Sequence, residues 1–234
     1  NEVVNDPKVD VVVEVIGGIE PARSLILQAI ANGKSVVTAN KAVIARHGPE
    51  IANAAKAAGV YVLIEAAVGG GIPIIEPLKQ SLGGNRINRV SGIINGTTNY
   101  ILTRMADEGA AYADVLAEAQ RLGYAEADPA ADVDGLDAAD KIAILSALAF
   151  GGTVDRDALP TTGISALQGR DVEYARQLGY GVKLLAVAER LAGQGDPLPL
   201  SCECNRPWYP AITHWPESMA STTPSLWRGT PSDG

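Results

Sequence analysis

No cysteine occurs in the first 200 residues, so no disulfide framework is available there, and a reducing compartment, the cytoplasm, is the expected setting. No apolar run approaches the roughly 20 residues that a membrane-spanning helix requires. Basic residues are outnumbered, 19 Lys and Arg against 27 Asp and Glu, for a formal charge of −8. That balance excludes the basic patch with which a protein grips nucleic acid or an anionic membrane. The opening "NEVVNDPKVD" lacks both an initiating Met and a basic stretch leading into an apolar one. No secretory signal is visible, and the chain is expected to begin in mid-protein. What remains is ordinary globular material: 47% hydrophobic and 20% charged residues over a length of 234, enough for one large or two modest domains. There is no internal repeat.

The first third alternates. "VDVVVEVIGG" (9–18) reads as a buried strand, "EPARSLILQAIANGK" (20–34) as a helix and "SVVTAN" (35–40) as a strand. "GPEIANAAKAAG" (48–59) follows as a helix and "VYVLIEAAV" (60–68) as a strand. A β-α-β-α-β order predicts a parallel sheet, and it looks like the second half of a dinucleotide-binding fold. The glycine-rich phosphate loop of such a fold, G-x-G-x-x-G, is absent; "GGGIPI" (69–74) has isoleucine where the third glycine belongs. That loop is expected before residue 1. Beyond residue 70 the alternation breaks. Helices at 74–82, 100–109, 111–123 and 138–150 mix with strands at 87–94 and 179–193 and a loop at 95–99, as in a second, α+β domain. The boundary is set at 67/68.

"DPAADVDGLDAADK" (128–141) packs five aspartates ahead of one lysine. It is not a calcium loop of the D-x-[DN]-x-[DN]-G kind: counted from Asp132, glycine falls fourth, and no glutamate closes the pattern. Two readings stay open. In one, Asp137 caps the helix beginning at Ala138, and Lys141 is an ordinary i,i+4 partner. In the other, Lys141 is a proton donor or acceptor for a carbonyl/alcohol pair, oriented by Asp137 one turn earlier, and Glu126 binds a substrate's ammonium group.

The stretch "AQRLGYAEADPAADVDGLDAADK" (119–141) resembles the homoserine dehydrogenase family at Ala119, Gly123, Tyr124, Ala125, Asp128, Pro129, Asp132, Val133, Gly135, Asp137 and Lys141. "TANKAV" (38–43), "EAAVGGGIPII" (65–75) and "GIINGTTNYIL" (92–102) agree with the same family. The resemblance implies an α/β protein: a partial Rossmann-type NAD(P)-binding domain (1–67) followed by an α+β catalytic and dimerisation domain (68–200). It implies an enzyme interconverting L-homoserine and L-aspartate 4-semialdehyde with NADP or NAD, on the route to threonine, methionine and isoleucine. Lys141 would be the proton donor/acceptor and Asp137 its partner. Glu126, Asp137 and Lys41 would bind substrate, and Gly17, Lys41 and Gly123 would lie against the cofactor. A structural sodium would be held by the backbone carbonyls of Glu65, Val68, Gly70 and Ile72. Assembly would be a homodimer or homotetramer paired through the second sheet, with no nucleic-acid or membrane partner. The alternatives are an inactive, partly folded fragment of such an enzyme, or another amino-acid semialdehyde dehydrogenase.

From Ser201 the pattern stops. All three tryptophans and both cysteines fall in the last 34 residues. Read one base out of phase, this tail forces leucine at His214-Trp215, alanine at Trp215-Pro216, glycine at Met219-Ala220 and valine at Trp208-Tyr209. It permits a strand-like string without an obligatory stop. The expectation is a frameshifted tail, 201–234, with no defined place in the fold beyond opportunistic packing on an open sheet edge.

Overall fold

The computed structural model describes residues 2–190, together with the backbone of 200–204 and 209–210. After a one-turn helix α1 (Glu2–Asn5), three strands form a parallel sheet in the order β1 (Val11–Glu14), β2 (Ser35–Thr38), β3 (Val62–Leu63). Helix α2 (Ala22–Ala31) joins the first pair. It buries Ala22, Ile26, Ala29 and Ile30, one stripe at helical spacing. Helix α3 (Lys41–Ala58) joins the second pair and buries Val43, Ile44, Ile51 and Ala55.

The helix expected at 48–59 therefore starts seven residues earlier, and Gly48-Pro49, a pair of breakers by sequence, lies inside it. Asn40 supplies the missing start signal: its side chain accepts from the amide of Val43 at 3.2 Å. An interior proline costs about 3 kcal/mol, and burying Val43, Ile44 and Ile51, at roughly 1.5–3 kcal/mol each, offsets it. Two other expectations shrink. The strand at 60–68 keeps only Val62–Leu63 before a 3₁₀ turn at Glu65–Ala67, and the helix at 74–82 is largely one π-helical turn, Pro77–Ser81.

The second region is an antiparallel sheet in the order β4 (Arg89–Gly92), β6 (Ala186–Arg190), β7 (Leu200–Cys204), packed with helices. These are α4 (Gly96–Glu108), α5 (Tyr112–Arg121), the short α6 (Ala130–Val133), α7 (Leu136–Phe150) and α8 (Gly169–Gln177). The loop expected at 95–99 is the N-cap and first turn of α4. The single strand expected at 179–193 is two, β5 (Tyr180–Gly181) and β6, separated by 182–185, and its last three residues lie outside the described ones. Five residues at 200–204 pair with β6, and β8 (Tyr209–Pro210) pairs with β5. Parts of the tail thus do have a place, because backbone pairing at an open edge asks little of side chains. The remainder of 201–234, and with it the out-of-frame reading of that stretch, lies outside the described residues.

Helix α7 is the wall shared by both cores. Ala143, Ile144 and Leu145 pack with α2 and α3 residues, whereas Ala138, Ala139, Ile142 and Phe150 pack with α4, α8 and β6 residues. At its C-terminus Arg190 donates to the carbonyl of Phe150 at 2.7 Å and stacks on its ring at 5.1 Å, closing one orphan carbonyl. At its N-terminus the cap is Gly135, not Asp137. Gly135 has φ +82°, and a Cβ there would lie 3.2 Å from the carbonyl oxygen of Thr162. Glycine suits both the conformation and the space. Asp137 is thereby carried into the first turn, with its carboxylate free to face inward.

Candidate active site

A cleft of about 320 Å³ opens where the C-terminal ends of β1 and β2 meet α6 and α7. This is where open parallel sheets hold ligands. Gly17, Gly18, Asn40 and Lys41 line one wall, and Glu126, Asp132, Asp137 and Asp140 are among the residues of the other. A buried network fixes the first wall. Glu14 accepts from the Thr38 hydroxyl at 2.6 Å and the amide of Ile16 at 2.8 Å, and the Asn40 side chain donates to the carbonyl of Gly18 at 2.7 Å. The two strand-end loops are thus tied together, and Lys41, the first residue of α3, projects from a fixed base.

Asp137 is the centre of the site. Its Oδ2 lies 2.7 Å from Lys141 Nζ and accepts from Asn95 Nδ2 at 2.9 Å, while its Oδ1 lies 3.1 Å from Lys41 Nζ. Lys141 also donates to the carbonyl of Ile94 at 2.8 Å. Burial alone would raise the pKa of Asp137. The opposing charge and hydrogen bond of Lys141, the amide of Asn95 and the charge of Lys41 outweigh it, and the carboxyl is held below its ordinary value. A carboxylate kept ionised between two ammonium groups anchors Lys141, an arrangement whose chemistry suits proton transfer.

Of the residues singled out by sequence, Asp137, Lys41, Glu126 and Gly17 line one cleft, and Lys141 stands behind that lining, 2.7 Å from Asp137. Gly123 does not line it. That glycine follows α5 with φ +78°. Glu65, Val68, Gly70 and Ile72 lie in the 3₁₀ helix and turns that follow β3, and none of them lines the cleft. The Glu65 carboxylate there accepts from the amides of Ile74, Ile75 and Glu76 at 2.8, 3.0 and 2.9 Å. Sequence reasoning placed Asn95 only within the motif loop 95–99 and singled out neither Asp132 nor Asp140 among the carboxylates of the acidic stretch. The two bonds from Asn95 span 37 residues to Asp132 and 42 to Asp137, beyond any local spacing rule.

A parallel sheet with a cleft at its strand ends, walled on the far side by carboxylates of a second region, is the arrangement of dinucleotide-binding α/β folds. Residues 1–65 match the family model described as homoserine dehydrogenase, NAD binding domain, and residues 73–213 match the homoserine dehydrogenase model. The chain belongs to the homoserine dehydrogenase family. It is 66% identical over 192 residues to the homoserine dehydrogenase of Synechocystis sp., covering 82% of this chain and 44% of that one. The Mycobacterium tuberculosis homoserine dehydrogenase is 53% identical over 220 residues, 94% of this chain and 49% of that one. The crystal structure of a homoserine dehydrogenase from Thiobacillus denitrificans superposes with a TM-score of 0.81 at 57% identity, covering 86% of this chain and 46% of that one. A hyperthermophilic archaeal homoserine dehydrogenase in complex with NADPH gives 0.70 at 31% identity, covering 88% and 58%. The chain spans about half the length of the relatives it matches. Among the described residues, no helix is long and apolar enough to cross a membrane.

Proposed function

We propose that the chain forms the substrate-facing part of an NAD(P)-dependent oxidoreductase that interconverts L-homoserine and L-aspartate 4-semialdehyde in amino-acid biosynthesis in the cytoplasm. The observation that carries this reading is Asp137 clasped between Lys141 and Lys41 at the mouth of the strand-end cleft. NADP or NAD, when bound, supplies the hydride acceptor or donor. Gly17, Gly18 and Lys41 suit its nicotinamide end: they line the cleft, and beyond Gly17 no atom lies within 4 Å of where a Cβ would stand. Gly123 is assigned to the same cofactor through the motif around it.

The protein's own residues handle the proton. Lys141 Nζ has three N–H directions; Asp137 and the carbonyl of Ile94 take two, and the third is left for the substrate's C4 oxygen. In reduction the Lys141 ammonium protonates the alkoxide as it forms and is left a neutral amine; in oxidation that neutral amine takes the hydroxyl proton. Asp137 and Lys41 orient the substrate, and Glu126, exposed on the wall it shares with Asp132 and Asp137, receives its ammonium group.

A sodium ion suits the 65–72 turn as a structural cation. Among the described residues, the carbonyls of Val68, Gly70 and Ile72 accept no hydrogen bond, and that of Glu65 accepts only from Val68 at 3.5 Å. Backbone oxygens of this kind fit a hard cation. Pairing of two copies through the sheet that contains β4 and β6 would give the homodimer, or a homotetramer built from it.

The test is an assay of the protein produced from the complete reading frame that contains this chain. Reduction of NADP or NAD should depend on L-homoserine, and oxidation of the reduced cofactor on L-aspartate 4-semialdehyde. A folded protein that binds cofactor yet turns over neither would refute the proposal.

A further inference from the structure

We propose that Asn95 is a positioning residue for the Lys141–Asp137 pair, a role that rests on the oxidoreductase reading above and extends it. Asn95 is the N-cap of α4 and is 4% exposed. Its Oδ1 accepts from the amide of Thr98 at 2.8 Å and from the Thr98 hydroxyl at 2.9 Å. A backbone N–H can only donate, so the atom facing it is oxygen and the other end of the amide is nitrogen. Both hydrogens of that nitrogen are used: Nδ2 donates to Asp132 Oδ1 at 2.7 Å and to Asp137 Oδ2 at 2.9 Å. Two donors and two acceptor sites are all that an asparagine side chain has, and each has a partner. The amide cannot flip or swing without breaking several bonds at once, in a place where water cannot replace them.

The same corner holds the lysine. Ile94, the preceding residue, accepts from Lys141 Nζ through its carbonyl, and the Asp137 oxygen that Asn95 holds is the one paired with Lys141. One two-residue corner thus fixes the carboxylate by a side chain and the ammonium by a backbone oxygen. With both anchors set, the direction of the third Lys141 N–H follows. Asp132 is held through one oxygen, so its other oxygen remains to face the cleft. Asparagine is required rather than tolerated: serine or aspartate can cap a helix as well, but neither can donate to two carboxylates from that position.

The experiment separates capping from positioning in the protein from the complete reading frame. Asn95→Ser and Asn95→Asp both keep an N-cap acceptor for Thr98, and both lose the NH2 that donates to two carboxylates at once. Misplacement of a reacting group by about 1 Å costs on the order of 100-fold in rate. Asn95→Ser should lower kcat roughly 10- to 100-fold, with KM for the cofactor within about twofold and Tm lowered by a few degrees only, because the cap is kept. Asn95→Asp should lower kcat further, because it sets a third carboxylate against Asp132 and Asp137. A kcat within about threefold of the parent in Asn95→Ser overturns the role, as does a loss that simply follows Tm across the two variants. Lys141→Ala, run beside them, tells the two failures apart. Parental turnover in that variant removes the acid–base reading itself, whereas an inactive Lys141→Ala beside a parental Asn95→Ser removes the positioning role alone.

Discussion

Two carboxylates three residues apart on α7, Asp137 and Asp140, are each 7% exposed, and they are served by different cations. Asp137 meets two lysines and an asparagine. Asp140 meets two arginines: Arg46 from α3 at 3.1 Å, and Arg156, which also donates to the carbonyl of Leu136 at 3.0 Å. Arginine is always charged and binds through a rigid planar fork, so the Asp140 cluster holds geometry and cannot exchange protons. It joins residues 94 positions apart and pins the first region to α7. Lysine carries a compact charge on a flexible stem and can give a proton up. One turn of helix therefore separates a fastening from the proposed acid–base pair, and the cation chosen distinguishes them.

That contrast can be broken by mutation, and the larger stability effect belongs to Asp140. Arg156 is 5% exposed and cannot recover water if its partner goes. Removing one member of such a buried pair costs about 3–5 kcal/mol. Asp140→Ala should lower unfolding stability by that order in urea titrations, with kcat per folded molecule much less affected. Asp137→Asn should do the reverse. Its lysine partners have side chains 19% and 38% exposed, so they can rehydrate. Stability should fall by less than in Asp140→Ala, while kcat drops roughly 10- to 100-fold because Lys141 loses its anchor. Equal stability losses at the two positions would erase the distinction.

A smaller effect sharpens it. The pKa of Asp137 is lower in the folded chain than in the unfolded one, where it is about 3.9. Between the two values the unfolded chain binds more protons. The stability that ionised Asp137 contributes is therefore complete above the unfolded pKa and drains away as pH falls through the folded one. The stability gap between the parent and Asp137→Asn should be constant from about pH 6 to pH 5 and narrow below about pH 4. A gap that widens in acid would mean that Lys141 and Lys41 do not hold that carboxylate charged.

The order of the first sheet was legible, because β-α-β alternation is local and each strand ends in recognisable turn residues; the burial expected of 9–18 was not met, since β1 is an edge strand with Val11 and Val13 more than half exposed. The start of α3 was not. Gly48-Pro49 looks like a boundary, and only the cap made by Asn40 and the burial of Val43 and Ile44 carry the helix across it. Helix α8 drew no attention because it buries only Val172 and Ala175 and is otherwise polar, leaving little periodic signal. In the site, Lys141 and Asp137 were legible as an i,i+4 pair inside a specific motif, and Lys41 as a residue at a strand end. Arg156 and the partners of Asn95 and Asp140 were not, since these are set by how α4, α7 and the first region pack together.

The most direct test of the central claim, that Lys141 moves the proton in this cleft, is kcat for Lys141→Ala in the protein from the complete reading frame, with NADPH binding titrated in parallel. A general acid–base group contributes about 10²- to 10⁴-fold. The account predicts a loss in that range, with the NADPH dissociation constant within about threefold of the parent. Turnover near the parental rate in a variant that still binds NADPH would contradict it.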